Sequence, residues 1–273
     1  MTQSQIILCA DDFGQNSSIS LAISELIAMQ RISATSCMTT TACWTNDASL
    51  ITPYIDQIDI GLHFNLTHKQ LITRAPYEHK DLVKQCWLRK IDKQILVDEL
   101  NAQLDCFAKS MKKMPDFIDG HQHIQQLPIV RDALLEVYLQ RLKTTRPYIR
   151  VSGCFKPKQL LQQPYRLKNL LIHLTGANKL KTKLIRNNIP FVPNFTGVYD
   201  FSHDTDYPKF FKKIIATAHT PVLIMCHPGH LSDEVEDTIR EARVRELAYF
   251  KSQQMIDDLT HSHLTLCRYQ DIL

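Results

Sequence analysis

Glycine is scarce in this chain, with only seven in 273 residues. A chain so poor in glycine has little use for long flexible loops or phosphate-cradling glycine runs, and no such run is present. No two of its eight cysteines are spaced as a CxxC pair, which excludes a cysteine-rich zinc knuckle. Cys9, Cys37, Cys226 and Cys267 fall within apolar strand-like runs, so most of the set reads as small buried hydrophobes and not as a disulfide frame. No apolar run reaches the length of a membrane span. The N-terminus lacks a basic stretch followed by a long apolar one, so no signal peptide is expected and the expected compartment is the cytoplasm. An excess of one charge is also missing. Thirty-two basic and 28 acidic residues leave a net charge of +4, which demands neither a nucleic-acid nor a membrane partner.

What is present is alternation. Short apolar, β-branched runs occur at 6–10, 34–40, 59–66, 117–123, 148–152, 221–226 and 264–269. Helical periodicity lies between several of them. Asn16 or Ser17 can cap a first helix carrying the stripe Ile19, Ala22, Ile23, Leu26 and Ile27. A second helix runs through Ile91, Ile95, Leu100, Leu104, Phe107 and Met111 and ends before Pro115. A third carries Val244, Leu247, Ala248, Met255 and Leu259. Strands and helices alternating over the whole length predict an α/β fold with mostly parallel strands inside outer helices, as one domain over 1–273. The segment 156–190 reads as helical and basic, with Lys168, Lys179, Lys181, Lys183 and Arg186 on a solvated face.

Four polar clusters end or interrupt these apolar runs, and five of the seven glycines sit in or beside them (Gly14, Gly61, Gly120, Gly197 and Gly229). The first is Asp11-Asp12-Phe13-Gly14. Adjacent carboxylates at a strand end repel each other and want a cation or a shared proton, whereas a helix cap would need only one. The second places His63 in Gly61-Leu62-His63-Phe64-Asn65-Leu66-Thr67. The third is Asp119-Gly120-His121-Gln122-His123, and continued strand alternation would set Asp119, His121 and His123 on one face. Two histidines and an acid are a costly way to fill a core and a natural way to supply a metal ligand and the group that orients it. The fourth is Cys226-His227-Pro228-Gly229-His230, where His227 suits a general acid and His230 a surface loop. If these strand ends surround one pocket, an aspartate and two histidines leave coordination positions open for water and substrate.

Together the motifs Ala10-Asp11-Asp12-Phe13-Gly14, Gly61-Leu62-His63, Asp119-Gly120-His121-Gln122-His123 and Cys226-His227-Pro228-Gly229 resemble the YdjC family of carbohydrate deacetylases, which includes chito-oligosaccharide and hopanoid-associated deacetylases. The likeness runs nearly end to end, through the late Arg243-Val244-Arg245-Glu246-Leu247 helix. The resemblance implies a distorted, TIM-like (β/α) barrel. It also implies one divalent metal ion, zinc or magnesium, and hydrolysis of an N-acetyl group on a sugar. Asp12, His63 and His121 match the metal ligands, Asp11 the general base, and His227 the histidine that closes the site. Members often carry a longer histidine run after the Asp-x-His, where this chain has Gln122 and Gln125. That departure leaves His123, with Asp119 and Asn65, as expected supporting or substrate contacts.

The expected partner is an N-acetylated sugar, with no nucleic acid and no membrane span; a homodimer is compatible with the sequence. Trp44, Trp87, Phe64 and Tyr199 are the aromatic candidates for stacking on sugar faces. The rival readings are another metal-dependent hydrolase such as a phosphoesterase, a non-catalytic sugar- or metal-binding protein on the same fold, and nucleic-acid binding through 156–190. The last lacks interleaved aromatics.

Overall fold

The computed structural model describes residues 4–153, 161 and 164–272. Cys154 and parts of the basic segment 156–190 lie outside the described residues. The central strand β1 (Ser4–Phe13) is almost wholly buried and is followed by α1 (Ser17–Ala28). Asn16 caps α1, its side chain accepting from the Ile19 amide, and the expected stripe faces inward. Next come β2 (Ala34–Cys37), the short α2 (Trp44–Asp47) and β3 (Asp59–Phe64). Helices α3 (His79–Trp87) and α4 (Lys93–Met111) precede β4 (Phe117–Gly120), and α5 (Val130–Val137) precedes β5 (Tyr148–Ile149). Helices α6 (Arg166–Leu174) and α7 (Ala177–Arg186) lead to β6 (Asn194–Thr196), and α8 (Tyr207–Ala216) leads to β7 (Val222–Cys226). The chain continues through α9 (Arg240–Lys251) and α10 (Gln253–His261) to β8 (Leu264–Leu266).

All these strands pair in parallel, in the spatial order β5-β4-β3-β2-β1-β7-β6. The sheet's two outer strands are joined by the segment leading into β6. Ile149 pairs with Phe191 through an isolated parallel bridge, three residues before β6 takes its place beside β7. The expected distorted α/β barrel is the observed architecture. Strand β8 pairs with the first residues of β1, on the edge that β2 occupies further along.

Three expectations change. None of the seven apolar runs covers the short strand β6. The late helix is two helices, broken at Ser252, whose side chain caps the second. The strand expected over 117–123 stops at Gly120, because Gln122 and His123 take left-handed backbone angles. Past Gly120, face alternation therefore no longer applies. Seven cysteines are free among the described residues, five of them buried, as a set of small hydrophobes requires.

Candidate metal centre

Parallel α/β barrels gather their chemistry at the C-terminal strand ends, and the four polar clusters meet there. Adjacent strand residues normally point to opposite faces, so Asp11 and Asp12 could not both face one pocket in a regular strand. A bulge resolves this. Between Ala10–Thr35 and Phe13–Cys37 the register of β1 against β2 shifts, and Asp12 adopts φ +71°. Aspartate tolerates that left-handed angle better than most residues. Both carboxylates consequently line the same cavity, of about 380 Å3, together with His63, His121, His123 and His227. Gly14, also left-handed, follows the bulge, and a side chain on it would meet the Met38 carbonyl at 2.7 Å.

Asp12 is the hub. Its Oδ1 lies 3.3 Å from His63 Nε2 and 3.1 Å from His121 Nδ1. Its Oδ2 accepts from Arg243 Nη2 at 2.8 Å, so one oxygen alone faces the histidines. Burial opposes the charge on Asp12, but Arg243 and the two histidines hold its carboxyl well below the usual range. His63 Nδ1 is bound by Asp119 Oδ1 at 2.6 Å and by the Ser36 hydroxyl at 2.9 Å, which fixes the ring with Nε2 toward Asp12. Burial opposes protonation of His63, yet the Asp119 and Asp12 carboxylates lift its pKa to about 10. One ligand atom each from Asp12, His63 and His121 falls within a 4.8 Å cluster. Two imidazoles and a carboxylate, one imidazole already oriented through its other nitrogen, fit a divalent transition metal.

Asp11 is held differently. Both its oxygens accept from Arg150, at 2.8 Å each, and Arg150 also lies against Asp119 Oδ2. Burial nevertheless pushes the Asp11 pKa up. His227 Nε2 stands 3.9 Å from Asp11 Oδ2. Burial, aided by Arg243 and Arg150, holds His227 neutral, with its pKa lowered to about 3. The His227 amide donates to Glu246 at 2.5 Å, and Tyr199 donates to the same carboxylate at 2.6 Å. Burial raises the Glu246 pKa to about 7.

His123 lines the cavity and sets its ring edge-on to Phe195. Asn65 is fully buried with its polar atoms engaged: its amide donates to Thr40 and to the His68 carbonyl, and its oxygen accepts from the Thr67 and His68 amides. It shapes the turn that brings His68 to the cavity. Of the aromatic candidates, Trp44 and Phe64 are core, Trp87 is exposed away from the cavity, and Tyr199 lines it.

Sequence reasoning gave no role to Arg150, Arg243, Glu246, Lys168 or Phe201. The signal for Arg150 was an arginine inside an apolar run. Lys168 does not share the solvated face expected for the basic segment. It is half-buried, donates to the Tyr199 carbonyl and stands 4.7 Å above the Phe201 ring.

A parallel barrel carrying an Asp-His-His cluster at its strand ends belongs to the class of α/β barrels with a candidate metal centre. The family model described as YdjC-like protein matches residues 5–261, and the chain belongs to that family. A chitooligosaccharide deacetylase of Yersinia pestis (strain Pestoides F) is 28% identical over 130 residues, covering 45% of this chain and 51% of that protein. The corresponding protein of Yersinia pseudotuberculosis serotype O:1b matches equally. The aligned stretch thus spans about half the length of these relatives. Among solved structures, a cellobiose-phosphate cleavage protein from Enterococcus faecalis V583 superposes with a TM-score of 0.67 at 18% identity over 98% of both chains. A peptidoglycan N-acetylglucosamine deacetylase superposes with a TM-score of 0.52 at 11% identity, covering 99% of this chain and 88% of that one. These two likenesses establish the fold.

Proposed function

We propose that the protein is a metal-dependent carbohydrate N-deacetylase that releases acetate from an N-acetylated sugar. The observation that carries this reading is the convergence of a candidate ligand triad, Asp12, His63 and His121, with a separate carboxylate–imidazole pair, Asp11 and His227, on one cavity wall. The names of the Yersinia relatives point the same way.

In this reading Asp12 Oδ1, His63 Nε2 and His121 Nδ1 would hold the ion, and a ligand set rich in imidazole favours zinc or a neighbouring transition metal over magnesium. A divalent ion held there would supply Lewis-acid chemistry, for the acetyl carbonyl and for the acidity of the attacking water. Asp11, kept off the ion by its two bonds to Arg150, takes a proton from the water. His227 is neutral at rest and has no spare proton of its own. The proton taken by Asp11 passes across the 3.9 Å gap to His227 Nε2 and from there to the departing sugar amine. Water thereby supplies the hydroxyl of acetate and the proton of the amine. Asp119 and Ser36 keep the His63 ring in place.

A two-metal phosphoesterase is the weaker reading. The second acidic cluster, Cys9, Asp11 and Asp119, is filled by the Arg150 guanidinium. The test is acetate release from N-acetylated mono- and oligosaccharides with each divalent metal. Release that stops with chelator and returns with added metal is expected. No release from any such sugar, with the metal bound, overturns the reading.

A further inference from the structure

Helix α6 has its polarity inside out. A helix on the outside of a barrel normally buries its apolar stripe and exposes its polar one. The one buried residue of α6 is instead Asn169, whose side-chain amide donates to the Pro164 and Tyr165 carbonyls. Leu167, Leu171 and Leu174 stand at i, i+4 and i+7 and so share a face, and they are 68%, 58% and 58% exposed. On α7, Ile185 is 59% exposed as well. Single surface leucines need no explanation, but three on one face of a nine-residue helix make a patch. The charge in this stretch is as lopsided. Between Val137 and Tyr199 lie twelve of the 32 basic residues and none of the 28 acidic ones, so the stretch carries +12 and the rest of the chain −8. Part of the positive charge is met inside the fold: Arg150 by Asp11, Arg141 by Asp105 and Lys183 by Asp132. Arg166, which opens α6, and Lys179 and Arg186, in the first and last turns of α7, are exposed and form no ion pair among the described residues.

We propose that the outward face of α6, flanked by the basic ends of α7, docks on an anionic lipid bilayer. The leucines enter the boundary between headgroups and acyl chains, and Arg166, Lys179 and Arg186 meet lipid phosphates. Apolar side chains rimmed by unpaired cations are the chemistry that such an interface rewards. At nine residues α6 lies on a membrane and cannot cross one. The acidic remainder of the chain is repelled by the same lipids, so the field turns this face toward the bilayer. A second copy of the chain fits the face poorly, because a two-fold contact would bring two basic patches together. A nucleic acid would meet the cations and leave the leucines in water. Lys168 and Ile172 of the same helix line the catalytic cavity. Docking would therefore hold the cavity wall about 10 Å, one helix diameter, from the lipid surface. The modest net charge of the whole chain conceals this, since it averages a basic face with an acidic remainder.

The test is co-sedimentation of the full chain with vesicles of phosphatidylcholine alone and of phosphatidylcholine mixed with phosphatidylglycerol. The wild type should bind the anionic vesicles at least about tenfold more tightly than the neutral ones, each basic residue at the surface contributing about fivefold. High salt should remove most of that preference. Two variants separate the parts of the face, and neither alters a residue that lines the cavity. Leu167→Ser/Leu171→Ser/Leu174→Ser should weaken binding to anionic vesicles by at least about tenfold. Arg166→Gln/Lys179→Gln/Arg186→Gln should erase the difference between the two kinds of vesicle. No binding of the wild type to anionic vesicles overturns the proposal. So does a leucine variant that binds as the wild type does, which would reassign the basic residues to an acidic protein or a polyanion. A wild type that dimerises in sedimentation velocity, with the leucine variant monomeric, gives the face to a second copy and also overturns it. If the leucine variant fails to fold, hydrogen exchange on the wild type decides. Anionic vesicles should then slow exchange in α6 and α7, and unchanged exchange in α6 removes the bilayer.

Discussion

Both ends of the barrel bury an aspartate against an arginine, but they do so to different effect. At the N-terminal end Asp59 accepts from Arg268 Nε at 3.0 Å and from the Tyr269 amide at 2.7 Å. A stack of Phe117, Tyr148 and Tyr269, with centroids 4.9 and 4.4 Å apart, seals that end. None of the polar atoms of Asp59, Arg268, Tyr148 or Tyr269 is buried without a partner. At the C-terminal end Asp11 and Asp12 also have arginines, yet His123 Nδ1, His227 Nδ1, Arg150 Nε and Arg243 Nη1 are buried without hydrogen-bond partners. Unmet polar atoms are costly and are rare in a closed core. Their concentration around the cavity marks the end of the barrel fit to take a ligand, while at the other end Arg31 Nη1, ahead of β2, is left unmet and the Asp59 cluster is closed by its own partners.

The sharpest way to break this contrast is to remove one group from each end. His63→Ala should abolish metal binding, read by elemental analysis, and lower activity by at least about three orders of magnitude. The metal-free variant should still fold, so that the loss of metal is not a loss of the fold. Asp59→Ala should do the reverse, costing about 3–5 kcal/mol in denaturant unfolding by stranding the Arg268 charge, with kcat/KM near wild type at permissive temperature. If Asp59→Ala loses activity without losing stability, the division between the ends is wrong.

Within the C-terminal end, Asp11→Asn should retain metal while kcat falls by about two to four orders of magnitude. Metal loss in that variant would place Asp11 among the ligands. His227→Ala should cripple acetate release from an N-acetyl sugar and spare an activated acetate ester, whose leaving group needs no proton. Equal losses on both substrates would assign His227 to holding the site's geometry.

Arg243→Met should weaken metal binding by about 10–100-fold, the usual scale for loss of a group that orients a ligand. The competition is between Asp12 Oδ2 and the ion: freed of Arg243, the carboxylate can turn or bind through both oxygens. Unchanged affinity by competition with a chromophoric chelator would show that the Arg243–Asp12 contact does not set the ligand's geometry.

The smallest effect concerns Glu246. Its folded pKa, about 7, lies above the ordinary carboxyl value of 4.5. Stability from the protonated form is therefore fully present below about pH 4.5 and is lost as the pH rises through 7. Glu246→Gln should remove that part of the pH dependence, so the variant gains on the wild type by about 1–3 kcal/mol between pH 5 and pH 8. A constant difference across that range would show that Glu246 does not titrate there.

Much of this contrast was legible in the sequence because strand ends are local. An apolar run followed by Asp-Asp, or by His-Pro-Gly, announces its own position. The arginines were not legible as partners. Arg150 meets Asp11 across 139 positions and Arg243 meets Asp12 across 231, and no periodicity spans such gaps. The reading of Asp119, His121 and His123 as one strand face failed for a different reason. Left-handed angles at Gln122 and His123 end the pleat, and neither residue type requires them. Even so, His121 and His123 both reach the cavity while Asp119 lies beneath His63, because the turn that replaces the strand folds back over the same strand ends. Lys168 was hidden by composition: four basic neighbours made it look like one more surface charge.

The bulge in β1 also bears on how such a site could arise or disappear in a lineage. In a regular strand, a pair of neighbouring aspartates would spend one carboxylate on the helix side of the sheet. One extra residue turns the pair inward, and removing one residue between Ala10 and Phe13 would reverse the facing of everything before it relative to β2. Point substitutions can retune this centre, but its on–off event is an insertion or a deletion. A relative with a single residue between the positions of Ala10 and Phe13, and β1 in unbroken register with β2, should keep the barrel without the paired carboxylates.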